Sequence, residues 1–163
     1  MLFFADLRAI FARDIATLGR EVAAYPSDAA LWEPLGGTAN SGGTLALHLA
    51  GNLQHFVGAV LGGSGYVRDR DAEFARRDVT RAELADEIAR TATAVERTLN
   101  ALAPSRLDEP FPVALAGRTL STSRALLHLS AHLAYHLGQL DYHRRAIARG
   151  ESNSVGAMGL DTL

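Results

Sequence analysis

The run Leu126-Leu127-His128-Leu129-Ser130-Ala131-His132-Leu133-Ala134-Tyr135-His136-Leu137-Gly138-Gln139-Leu140 decides how the chain is read. Its leucines at 126, 129, 133 and 140 keep to one face of an α-helix, and its histidines at 128, 132 and 136 return every four residues. At about 100° per residue with Leu129 as origin, Leu140 and Leu133 lie roughly 20° and 40° to one side; His136, His132 and His128 lie roughly 20°, 60° and 100° to the other. The helix therefore carries a shoulder of imidazoles beside its apolar stripe. It starts near Ser121 or Ser123, runs to Gly150 with Ile147 extending the stripe, and holds four of the six histidines once His143 is counted.

Three more helical patterns precede it. Phe4, Leu7, Phe11, Ile15, Leu18 and Val22 recur at helical spacing until Pro26 and Ser27. Ser41 caps a second helix, with Leu45, Leu49, Leu53, Phe56 and Val60 on one face and Gly62-Gly63 as its stop. Thr80-Arg81-Ala82-Glu83 has the form of a capping box and opens a third, continuing through Leu84, Ile88, Val95, Leu99 and Leu102 to Pro104. Strand signals are confined to Phe111–Leu115 and Arg118–Leu120, a small hairpin around Ala116-Gly117 that Pro110 and Pro112 keep at an edge. The expected fold is all-α: one four-helix-bundle domain over residues 1–163, with that hairpin or an irregular segment before the last helix and a loosely held tail from 151 to 163. Asp14 falls on the inward face of the first helix, where pairing with an arginine would relieve the cost of burial.

Composition narrows the chemistry. The chain of 163 residues is 48% hydrophobic and 21% charged, as ordinary globular domains are. It has no cysteine, which removes disulfides, thiolate metal sites and cysteine nucleophiles, so thiol chemistry needs a thiol cosubstrate. All sixteen basic residues are arginine, which removes Schiff-base lysines and the P-loop lysine. A net charge of −2 argues against nucleic acid as a partner. The charge-free stretch from Pro34 to Val67 is interrupted by glycines, His48, Asn52, Gln54 and His55, so it reads as a buried helix and not a membrane span. The N-terminal Met1-Leu2-Phe3-Phe4 meets Asp6 and Arg8 too soon for a signal peptide, and a cytoplasmic location is expected.

The second helix has its own polar shoulder, made by His48, Asn52 and His55. Imidazoles at i and i+4 can converge on one ion, and His132 with His136 lies nearer the core face than His128 with His132. His143 lies two turns beyond His136, roughly 10 Å away, too far for the same ion. A third imidazole must then come from His48 or His55. Three neutral imidazoles and no cysteine describe an open, catalytic kind of site. The competing reading is a half-buried histidine face satisfied by hydrogen bonds. Glu-x-x-His, His-Glu-x-x-His and Gly-x-Ser-x-Gly are all absent.

His132-Leu133-Ala134-Tyr135-His136-Leu137-Gly138-Gln139-Leu140 resembles the closing motif of the DinB/YfiT-like superfamily of metal-binding four-helix bundles. Leu47-His48-Leu49-Ala50-Gly51-Asn52-Leu53 resembles its second-helix motif, and Trp32-Glu33-Pro34, Asn40-Ser41 and Arg68-Asp69-Arg70-Asp71-Ala72-Glu73-Phe74 are similar to stretches of one branch. The resemblance implies a divalent metal, zinc or nickel, held by His48, His132 and His136, and a homodimer. It implies a thiol-dependent transferase, or a hydrolase, acting on a small molecule with a low-molecular-weight thiol as cosubstrate. The alternative is a non-catalytic metal- or ligand-binding bundle. Asn52 and Gln139 are candidates to orient ligands or substrate, and Tyr135 and Glu73 to donate or accept a proton.

Overall fold

The computed structural model describes residues 2–148 other than residue 116, without the side chains of residues 2 and 3. The expected tail from 151 to 163 lies outside the described residues. The fold is all-α. Helix α1 spans Leu2–Ala23, α2 Asp28–Trp32, α3 Gly42–Leu53, α4 Arg70–Ala75, α5 Arg81–Ala101 and α6 Thr122–Ile147. The long helices form where apolar spacing and caps agree. Ser41 and Ser121 accept from the backbone N–H groups of Thr44 and Arg124, and Thr80 and Glu83 complete a reciprocal capping box.

The short helices α2 and α4 lie between the long helical patterns, α2 after α1 and α4 before α5. Each is started by a side-chain cap, Ser27 to Ala30 and Asp69 to Ala72. Helix α1 packs on α5 and α6, and α3 packs on the same two. The stripe Phe4, Leu7, Phe11, Ile15, Leu18 and Val22 is wholly buried, facing Leu84, Ile88, Val95 and Leu99 of α5 and Leu126, Leu129, Leu133 and Leu140 of α6 in one core.

The second helix departs from regular winding. After Leu53 it continues as a π-helical segment, Gln54–Leu61, in which the Gly62 N–H reaches back five residues to the Val57 carbonyl at 3.0 Å. A turn that closes over five residues keeps the residue four positions on in line, so Val57 joins Leu53 in the main core. Val60, expected on that stripe, turns instead to a small cluster with Phe111, Leu115 and Ala125, and Phe56 packs against both that cluster and the main core. Gly63, at φ +62°, ends the segment where a side chain would be strained.

The expected hairpin is reduced to two isolated antiparallel bridges, Pro110 with Ser121 and Leu115 with Arg118. The prolines supply no backbone donor, which limits the ladder. Gly117 at φ +74° makes the turn, and Ala116 lies outside the described residues. A 3₁₀ turn, Pro104–Leu107, follows α5.

A buried ion pair fastens α1 to α6, and a second neutralises a carboxylate within α1. Arg144 on α6, fully buried, donates from Nε to Glu21 Oε2 at 2.5 Å and from Nη2 to Asp141 Oδ1 at 3.1 Å. Asp14, also fully buried, accepts from Arg13 at 2.7 Å, the arginine pairing expected for it. No described helix is long and apolar enough to cross a membrane.

Candidate metal centre

Helices α3 and α6 run antiparallel. Leu45 near the start of α3 shares a cavity of about 400 Å³ with Gln139, Tyr142 and His143 late in α6, while Phe56 packs in the cluster holding Ala125 early in α6. His48 therefore meets His132 and His136 across the interface. The three offer ligand nitrogens that all lie within 4.8 Å of one another, His48 buried and the other two half-buried.

Each imidazole is held in a form that leaves a nitrogen for the cluster. Glu73 on α4 accepts from His48 Nδ1 at 3.1 Å. A carboxylate can only accept, so in this bond Nδ1 carries the proton and the Nε2 lone pair faces inward; Arg68 Nη2, 3.3 Å from the same Nδ1, makes its shorter bond to Glu73. Arg68 braces Glu73 with two bonds, Nε to Oε1 at 2.6 Å and Nη2 to Oε2 at 2.7 Å. Burial pushes the Glu73 carboxyl up, but the bonds from Arg68 and His48 outweigh it and hold the group below the usual carboxylate range. On α6, Gln139 Oε1 lies 2.7 Å from His136 Nδ1, fixing that ring the same way. Burial, then the neighbouring imidazoles His136, His48 and His128, push His132 down to about 4, and burial chiefly lowers His136 as well. Both stay neutral near pH 7, the protonation state of a metal ligand.

His48 Nε2 and His132 Nε2 are 3.3 Å apart. Two nitrogens each 2.0–2.1 Å from one tetrahedral ion are separated by roughly 3.3–3.4 Å. The donor set fits a divalent cation in its types, its protonation and this spacing. The carboxylate behind His48 and the amide behind His136 are the outer partners such ligands use.

Gly51 lets Glu73 approach. A Cβ at position 51 would stand 2.1 Å from Glu73 Oε1, so only the bare backbone of α3 admits the carboxylate. Spacing alone gives no sign of Arg68 as its brace, because the two residues meet through the cap of a short helix. Within the Arg68–Phe74 stretch the sequence points to Glu73 and not to Arg68.

The remaining candidates are placed as follows. Asn52 is buried, one turn beyond His48, and makes no hydrogen bond with the three imidazoles. Tyr135 is largely exposed, with its ring centroid 5.1 Å from that of His136. His128 is exposed beside His132, and His55 is half-buried in the π segment. His143 stands apart: its Nε2 donates to the Glu33 carbonyl at 3.0 Å, and its Nδ1 accepts from the Tyr25 hydroxyl at 2.8 Å.

An all-α fold in which two helices bring three histidines together is the architecture of the DinB/YfiT-like superfamily, to which the chain belongs. Within that class, residues 6–149 match the family model described as mycothiol-S-transferase, and the chain is a member of that family. No curated protein and no solved structure matched it.

Proposed function

We propose that the chain is a metal-dependent S-transferase: a single four-helix-bundle domain that joins a low-molecular-weight thiol, mycothiol by family membership, to a small electrophile. His48, His132 and His136 are the ligands of a zinc or nickel ion. The observation that carries this reading is the 3.3 Å approach of two imidazole nitrogens, one of them fixed from behind by a braced carboxylate. A divalent ion at an open three-imidazole site supplies Lewis acidity, lowering the pKa of a thiol or water at its free position. The protein's own part is preorganisation. Glu73 and Gln139 set the tautomers of His48 and His136, and burial keeps His132 unprotonated. The chain lacks a thiol of its own, so the sulfur comes from the cosubstrate.

Glu73 and Tyr135 are the candidates for proton transfer, and the bonds of Glu73 to His48 and Arg68 favour a positioning role for it. A cytoplasmic location suits a chain that depends on a reduced thiol. A homodimer would use the apolar groove of about 790 Å³ between α1 and α5. Its lining includes Arg20 and Glu96, opposite charges that suit a self-complementary two-fold interface.

Elemental analysis of the purified protein beside a His48→Ala, His132→Ala, His136→Ala variant tests the site. About one transition metal per chain in the parent and none in the variant is the expected result. Turnover of mycothiol with a panel of electrophiles then tests the transferase. Metal uptake without turnover would favour a non-catalytic binding protein, and no uptake after incubation with zinc and nickel would overturn the metal reading.

A further inference from the structure

The three imidazoles, Glu73 and Gln139 are all carried on helices, and Arg68 is not. It follows the connection Gly62-Gly63-Ser64-Gly65-Tyr66-Val67, in which Gly63 and Gly65 take φ values of +62° and +78° and Val67 is almost fully exposed. Such a backbone does little to place a side chain, so the guanidinium is located by what touches it. Its edge meets Glu73 through the two hydrogen bonds described above. Its Cζ stands 5.8 Å from the centroid of the Phe56 ring, within the range over which an aromatic ring attracts a cation. The Arg68 side chain is largely withdrawn from water, so this attraction is weakly screened. Phe56 owes its place to the π winding. In an ordinary α-helix it would share the stripe of Leu45, Leu49 and Leu53; here Val57 takes that position, and Phe56 stands at the edge of the core, where it reaches Arg68.

Where Arg68 sits matters because His48 Nδ1 has two neighbours of opposite kind. Glu73 Oε2, at 3.1 Å, accepts, and Arg68 Nη2, at 3.3 Å, can only donate. With the Nδ1 proton given to Glu73, Nε2 is a free lone pair. Were the guanidinium to swing onto Nδ1, the neutral ring would carry its proton on Nε2, which lies 3.3 Å from His132 Nε2, and that proton would occupy the place of an ion. We propose that Phe56 is a positioning residue for the metal centre: its ring keeps the Arg68 guanidinium on Glu73 and so selects the His48 tautomer that can bind a metal. The inference rests on the metal reading above and adds to it the part played by the π segment.

Three variants test it. Phe56→Leu keeps apolar bulk and removes the ring, Phe56→Tyr keeps the ring, and Val60→Ala loosens the same segment with the ring in place. In metal-free protein labelled with ¹⁵N at histidine, NMR correlations between ring nitrogens and carbon-bound protons at pH 8 report the His48 tautomer. The Nδ1–H form is expected in the parent, Phe56→Tyr and Val60→Ala, with a raised Nε2–H fraction in Phe56→Leu. In a chelator competition, zinc affinity should fall about tenfold in Phe56→Leu and stay at the parental value in the other two, the lower end of what losing an outer partner costs. In an Arg68→Lys background, which lacks the planar fork, Phe56→Leu should add no further loss. An unchanged tautomer or an unchanged zinc affinity in Phe56→Leu would overturn the proposal, as would an equal loss in Val60→Ala or additive losses with Arg68→Lys. Should Phe56→Leu not fold, Phe56→Met, also of apolar bulk and without a ring, takes its place. If the parent takes up no zinc, the metal reading fails by itself, and the tautomer comparison on the metal-free proteins still decides whether Phe56 acts through Arg68.

Discussion

Glu73 stands where three effects compete: burial against its charge, the Arg68 guanidinium in its favour, and the His48 N–H it must accept. The outcome is a carboxylate, and so a defined tautomer of His48. Replacing it with Gln keeps the shape but removes the charge that Arg68 and His48 both use. Glu73→Gln should lower zinc affinity by about 10–100-fold, the usual cost of losing an outer partner, in a competition titration against a chelator. Here sequence and structure diverge. The histidine spacing selects His132 and His136 without coordinates, because i and i+4 on one helix is a local relation. The spacing left His48 and His55 open; the resemblance implied His48, and the structure brings that residue to the pair. Arg68 was invisible as a partner, since a contact made through a six-residue helix leaves no periodic trace.

At the scale of the element, Gly51 sets two effects of opposite sign against each other. Alanine is the better helix former by about 1 kcal/mol in a helix interior. Its methyl group, however, would sit 2.1 Å from Glu73 Oε1. Gly51→Ala is expected to leave the thermal midpoint close to the parent's or above it, while zinc affinity falls toward that of Glu73→Gln; calorimetry and the chelator competition read the two separately. An unchanged zinc affinity would show that Glu73 can shift aside and still hold His48. The four long helices were legible because their apolar stripes and caps agree. Helices α2 and α4 were not, being five and six residues long with caps but no periodicity. The π segment was hidden too, since its residues are as apolar as those of an ordinary buried helix.

For the whole molecule, histidines link stability to pH. Burial, first among the causes, lowers His132, His136, His55 and His143 below the ordinary value of 6.5. The unfolded chain takes up protons on these groups near pH 6.5 and the folded chain does not, so the unfolded state binds more protons in this range. Stability of the metal-free protein is therefore full above about pH 6.5, and falls as the pH drops toward the folded values, about 4 for His132. The urea midpoint should decrease between pH 7.5 and 5. His143→Gln, remote from the ligands, should lessen that decrease by removing one of the four groups; an identical slope would remove His143 from the account.

The π-helical segment matters also for how the chain is compared with its relatives. Each i to i+5 turn encloses one residue more than an α-helical turn does. A relative lacking one residue between 54 and 61 would therefore continue as an unbroken α-helix, with His48 upstream undisturbed. Alignments of the family should accordingly allow a gap inside this helix. Forcing the gap into the loop after Gly63 would misassign His55, Phe56 and Val57, and with them the boundary between the centre and the small cluster beside it.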